Sequence, residues 1–203
     1  MGVVKLSTAG ILDYSKTSNF LSGNTPPAGP AFNLLETQVL TTNHASIAFD
    51  SLGTYAADYK HLQIRATLKD DRSASNSSQY GFTFNGVTSA SYSAHRLLAG
   101  NFGSTPVSDA STSRANIGPT EGIAGANDSN IFGASVIDIL DPFDTSKFTT
   151  ARVFDGIMTP TNRIGLSSGL FMNTAAITSI EIFSILATNL VIGCRFSLYG
   201  IKG

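Results

Sequence analysis

The chain has one cysteine, Cys194, and no tryptophan. A lone cysteine forms no intrachain disulfide and no cysteine-based zinc site. Stability must come from packing and from assembly. Charge is scarce as well: Asp, Glu, Lys and Arg make up 13% of the 203 residues, against roughly 25% in an ordinary soluble domain. The formal net charge is −1 and the basic residues are scattered. A surface that tracks phosphates needs clustered cations, so no nucleic-acid partner is expected. The apolar runs are too short to span a bilayer, and the opening MGVVKLS lacks the apolar core of a signal peptide. Neither a membrane partner nor secretion is expected.

Ser, Thr, Asn and Gly stand where charge is missing, beside an ordinary 42% of hydrophobic residues. Such a surface is neutral and polar, and it suits packing against other subunits. Length allows one sizeable core plus a short arm. Residues 1–33 read as that arm. They mix isolated apolar residues (Val4, Leu6, Ile11, Leu12, Tyr14, Phe20, Leu21) with small polar ones and end in TPPAGP at 25–30. Proline and glycine make that stretch a linker. The seven apolar residues are many for a solvated tail, so they are expected to dock on a neighbouring protein.

From residue 34 to 203 the pattern is that of strands. In residues 59–69, Leu62, Ile64, Ala66 and Leu68 point one way and His61, Gln63, Arg65, Thr67 and Lys69 the other, the period of a half-buried strand. Tyr80, Phe82 and Phe84 repeat it, and Asn85-Gly86 predicts a hairpin turn. Further strands are expected at 34–41, 45–49, 91–99, 131–140, 148–158, 163–171, 177–185 and 192–201. Residues 70–78 read as a loop by composition, and 100–130, rich in Gly, Ser, Asn and Pro, as a long loop. Helical periodicity is not sustained anywhere. The expected fold is all-β: a jelly-roll-like antiparallel β-sandwich with an extended N-terminal arm.

Chemistry-bearing clusters are few. Asp138, Asp141 and Asp144 suggest a hard cation, but their spacing lacks the glycine turn of a calcium loop, and a strand ending in an Asp-Pro turn accounts for them. The 14 acidic residues fall mostly in turn-like contexts, which disfavours paired carboxylates for sugar hydrolysis. His44, His61 and His95 have no neighbours that ask for a triad, and no serine-centred nucleophile elbow is expected. No catalytic residue, metal or cofactor is assigned. Most Phe fall on inward positions. Tyr92 and Phe102 border the long loop and, with Asn101, Asn127 and Asp128, form the candidate receptor-binding set. Cys194 shares a face with Phe196 and Leu198 and reads as a small core residue.

Four blocks carry a resemblance. DYKHLQIR (58–65), FTFNG (82–86), ASVIDILDPFDTSK (134–147) and the ending RFSLYGIKG (195–203) are similar, in this order, to segments of a group of small structural proteins of tailed bacteriophage particles. The resemblance spans about residues 34–203, and the opening GVVKLS resembles the group too. It implies a non-enzymatic virion protein, assembled in the host cytoplasm and released by lysis. Its expected partners are other copies of itself, as a homotrimer by analogy with phage fibre and cement proteins, and capsid or tail proteins of the particle. Capsid decoration, cement or head fibre is the expected role. The alternative is a tail fibre or baseplate component that binds a host-surface glycan through residues 100–130.

Overall fold

The computed structural model describes residues 30–73, 75–100, 103–105, 111–123, 130–158 and 162–203. In these residues the strands are β1 (Phe32–Val39), β2 (Ser46–Phe49), β3 (His61–Leu68), β4 (Ser77–Phe84), β5 (Tyr92–Gly100), β6 (Gly103–Thr105), β7 (Ser111–Arg114), β8 (Ile117–Ile123), β9 (Gly133–Leu140), β10 (Thr149–Ile157), β11 (Arg163–Phe171), β12 (Ile180–Ser184) and β13 (Arg195–Ile201). A 3-10 turn at Leu52–Tyr55 is the one helical element among them. The strands form a large sheet, β1-β13-β3-β9-β10-β11-β5-β6 with β7 also on β5, and a small one, β2-β12-β4-β8.

Eight strands, four from each sheet, make a jelly roll. Taken in chain order as β1, β2, β3, β4, β8, β9, β12 and β13, the first, eighth, third and sixth form one sheet, and the second, seventh, fourth and fifth form the other. This is the order two interlocked Greek keys produce. The other strands are insertions. β5, β6 and β7 lie between β4 and β8, and β10 and β11 lie between β9 and β12. All five extend the large sheet beyond β9.

Alternation explains the core. Leu62, Ile64, Ala66 and Leu68 of β3 point inward opposite Ile137 and Ile139 of β9 and Phe196 and Leu198 of β13. Tyr80, Phe82 and Phe84 of β4, with Ile180 and Ile182 of β12, face them from the small sheet. Tyr92 and Phe171 stack with ring centroids 5.0 Å apart, and Phe84 meets Phe171 edge-on at 5.6 Å. Cys194 is fully buried in the same core.

Polar hubs tie the places where the chain passes between sheets. Asp70, fully buried at the β3–β4 crossing, accepts hydrogen bonds from the hydroxyls of Ser78, Ser184 (3.1 Å) and Thr188 (2.5 Å) and from the Arg72 N–H. Ser184 and Thr188 belong to the β12–β13 crossing, so one carboxylate links two crossings. A buried carboxylate needs such partners. Asn85 Oδ1 accepts from Thr178 N (2.7 Å), and its Nδ2 donates to Ala176 O (2.9 Å).

Several expectations need correction. Asn85-Gly86 does turn with positive φ, 53° and 66°, but no hairpin follows: β4 lies in the small sheet and β5 in the large one. The Tyr92 hydroxyl pins this corner, accepting from Phe84 N (2.9 Å) and donating to Val87 O (2.9 Å). The stretch 100–130 is not one loop, for its described parts hold β6, β7 and β8. The 70–78 segment is not simply a solvent loop, because Asp70 and Ser78 are buried and β4 starts at Ser77. Phe32 and Asn33, assigned to the arm, already belong to β1.

Candidate interaction face

The structure scatters the candidates drawn from sequence. Tyr92 is not a surface platform: it is fully buried, because its ring stacks in the core and its hydroxyl closes the β4–β5 corner. Asn101, Phe102, Asn127 and Asp128 lie outside the described residues, as do Val4, Leu6, Ile11, Leu12, Tyr14, Phe20 and Leu21 of the arm.

The acidic trio divides. Asp138 accepts from Gln63 Nε2 (2.8 Å) and lies 3.7 Å from Arg152. Asp141 and Asp144 surround Lys147, at 2.5 and 3.8 Å. The Lys147 hydrogen bond holds the Asp141 carboxyl below its ordinary range, and hydrogen bonds from Ser146 do the same for Asp144. These carboxylates are answered by an amide, cations and a hydroxyl. The expectation that no serine-centred elbow occurs needs correction at the level of the string, for residues 165–169, Gly-Leu-Ser-Ser-Gly, fit Gly-x-Ser-x-Gly. A nucleophile elbow requires a strand-to-helix turn that exposes the serine. Here the string runs straight through β11, and Ser167 is buried on its inner side.

The distinctive surface is the outer face of the large sheet. Phe32, Leu34 and Val39 of β1, Leu97 of β5, Phe154 of β10, and Ile164 and Leu166 of β11 are all exposed. Each pairs with, or alternates with, residues that place it on that one side. The registers align four of the strands into a single transverse row: Val136 opposite Phe154, Phe154 opposite Leu166, Leu166 opposite Leu97. Phe154 is 53% exposed, Leu166 54% and Ile164 57%. Burying what remains exposed of each such side chain is worth about 1 kcal/mol.

Why apolar residues face out here is visible in β11. Between Arg163 and the core residue Phe171, its inner positions are Gly165, Ser167 and Gly169, all small. β8 of the small sheet crosses so closely above that a Cβ on Gly169 would come within 2.5 Å of Ile117 Cγ2. On Gly165 it would come within 2.6 Å of Asp155 Oδ1. Small residues therefore occupy the inside, and Ile164, Leu166 and Leu170 take the outward positions. Period-two reasoning alone would place those three in the core.

Polar groups frame the row. On one side, Arg65 Nε donates to Gln63 Oε1 (3.1 Å), which continues through Asp138 to Arg152. The Arg65 guanidinium also lies over the stacked rings of Phe32 and Tyr199, 5.2 and 5.3 Å from their centroids. Arg195 flanks the other side through its pairing with Thr67. Phe154 forms a ridge between two open grooves. One, of about 630 Å³, runs toward Arg65, Arg195 and Tyr199. The other, of about 430 Å³, runs toward His95, Leu97 and Leu166. This face has the anatomy of a contact surface, apolar at the centre and polar at the rim. No protein-family model matches the chain, and no curated protein matches it at significant similarity.

Proposed function

We propose that the chain is a non-enzymatic structural protein of a tailed phage particle, exposed on its surface as capsid decoration, cement or head fibre. The segment that precedes β1 anchors it, and copies associate with one another, as a homotrimer by analogy with phage fibre and cement proteins. The observation that carries this reading is the concentration of exposed apolar side chains on one face of a charge-poor jelly roll. An exposed apolar patch of this kind marks a surface that another molecule covers, as on a subunit built for assembly. The resemblance of the blocks at 58–65, 82–86, 134–147 and 195–203 supplies the phage context.

Cryo-electron microscopy of intact particles tests the proposal by locating and counting the chain. Density on the capsid, with residues 1–30 threaded into the shell, is the expected result. Density confined to the tail replaces the decoration role with a tail-fibre or baseplate role, in which residues 100–130 would contact a host glycan. Absence from the particle refutes the virion reading. Deleting residues 1–27 is expected to abolish incorporation, and normal incorporation of the deleted form would refute the anchoring role.

A further inference from the structure

We infer that the outer face of the large sheet is the contact between copies of this chain: the apolar row Val136–Phe154–Leu166–Leu97, with Ile164 beside it, is covered by a second copy. The inference rests on the self-association part of the proposed function and names its surface.

Three observations support a second copy as the occupant. The first is area. Strands spaced about 4.8 Å apart and rising about 3.3 Å per residue make this face roughly 34 Å wide and 25 Å long. That is on the order of the 800 Å² each partner contributes to a standard interface. The second is layout. Charge is depleted along the row and returns at its edges as Arg65, Arg152, Arg195 and Asp138. Because the rim carries both signs, a second copy can set its Asp138 against an arginine of the first, so the charges at the edge favour pairing of like chains. The excess of arginine is at the exposed rim, where salt screens it within about 8 Å. The third is asymmetry. Among the described residues, the outward positions of β2 and β12 in the small sheet hold Ser46, Ala48, Glu181 and the part-buried Phe183, and none of the strongly exposed large apolar residues. The strongly exposed apolar side chains of the described strands are gathered on the large sheet.

The test uses the full chain. Light scattering on a sizing column is expected to give a multiple of the 21.3 kDa chain mass. The double variant Phe154→Glu/Leu166→Glu is expected to run as a single chain with an unchanged circular dichroism spectrum. Ala48→Glu, on the opposite sheet, is expected to leave the mass as it was. Cys194 is buried, so a cysteine placed by Ser168→Cys is the sole accessible thiol and reports on the face directly. Its maleimide labelling is expected to accelerate about tenfold on dilution below the association range, a readout independent of the charge-bearing variants. A wild-type chain that stays monomeric at every concentration overturns the inference. So does a double variant that folds and keeps the wild-type mass. A monomer whose Ser168→Cys thiol is protected at all dilutions also overturns it, assigning the face to the chain's own residues 1–29. Particle location and copy number bear only on the virion role, so either reading can fail without the other.

Discussion

Replacing Asp70 by alanine is the most demanding single test of how the roll is held. The side chain is fully buried, and three hydroxyls, from Ser78, Ser184 and Thr188, converge on its Oδ2 while the Arg72 N–H reaches Oδ1. Alanine removes the common acceptor and leaves the hydroxyls facing a void. Hydrogen bonds to a carboxylate contribute about 1.5–3 kcal/mol each, and orphaned buried donors cost further. The hydroxyls recover part of this among themselves, since Ser184 and Thr188 already lie 2.7 Å apart. The expected net loss is about 3–5 kcal/mol. For a domain of this size that lowers the melting temperature by roughly 10 °C, at about 2–4 °C per kcal/mol. Asp70→Asn keeps one oxygen where the hydroxyls converge and is expected to cost less than half as much. Urea unfolding followed by circular dichroism measures both variants. An Asp70→Ala protein within about 1 kcal/mol of wild type would refute the claim that this carboxylate ties the two crossings together.

Gly169→Ala is expected to destabilise by about 1–3 kcal/mol, because its methyl would press on Ile117; the same urea assay checks it, and a neutral result would mean that β8 lifts away freely. Acid should weaken the fold. Asp141, Asp144 and Asp71 are held below their ordinary values by hydrogen bonds from Lys147, Ser146 and Asn189 respectively. A depressed carboxyl contributes stability above its unfolded value near pH 4 and loses it as pH falls through the folded one. Melting temperature is therefore expected to drop below about pH 4, and Asp141→Asn to flatten that drop. An unchanged slope in Asp141→Asn would remove Asp141 from the account. Burial pushes the Cys194 thiol up, and its Sγ contacts the Lys69 backbone at 3.3 and 3.1 Å; a disulfide reagent should leave the native protein unlabelled and titrate one thiol after unfolding. Rapid native labelling would contradict its placement in the core.

The all-β class and most strand positions follow from alternation. In β3 every second residue is apolar and the intervening ones are polar, so the inner face reads directly. β8 escapes because Ile117–Ile123 contains two glycines and a proline and lacks the bulky alternation that marks a strand. Asn85-Gly86 has the chemistry of a hairpin turn, but whether the next strand returns to the same sheet depends on the Tyr92 hydroxyl, which reaches back to Phe84, and on the approach to β12 at Thr178. The interaction face was hidden for a related reason. Ile164 and Leu166 look like core residues on their own strand, and only the closeness of Ile117 to Gly169, far apart in sequence, turns them outward.

The pairing of β1 with β13 also bears on how the protein comes into being. Thr37 and Ser197, 160 positions apart, share a side-chain hydrogen bond of 3.0 Å in that ladder. β1 has no partner in its sheet among the described residues until β13, some 160 positions later, has been made. That side of the sheet therefore closes late, by a contact of high sequence separation, the kind that slows folding toward the millisecond-to-second range. During that wait the strand presents an unpaired ladder to its surroundings. A lower level of expression should favour soluble product, because fewer chains with an unpaired β1 are then present together, whatever the strength of the finished core.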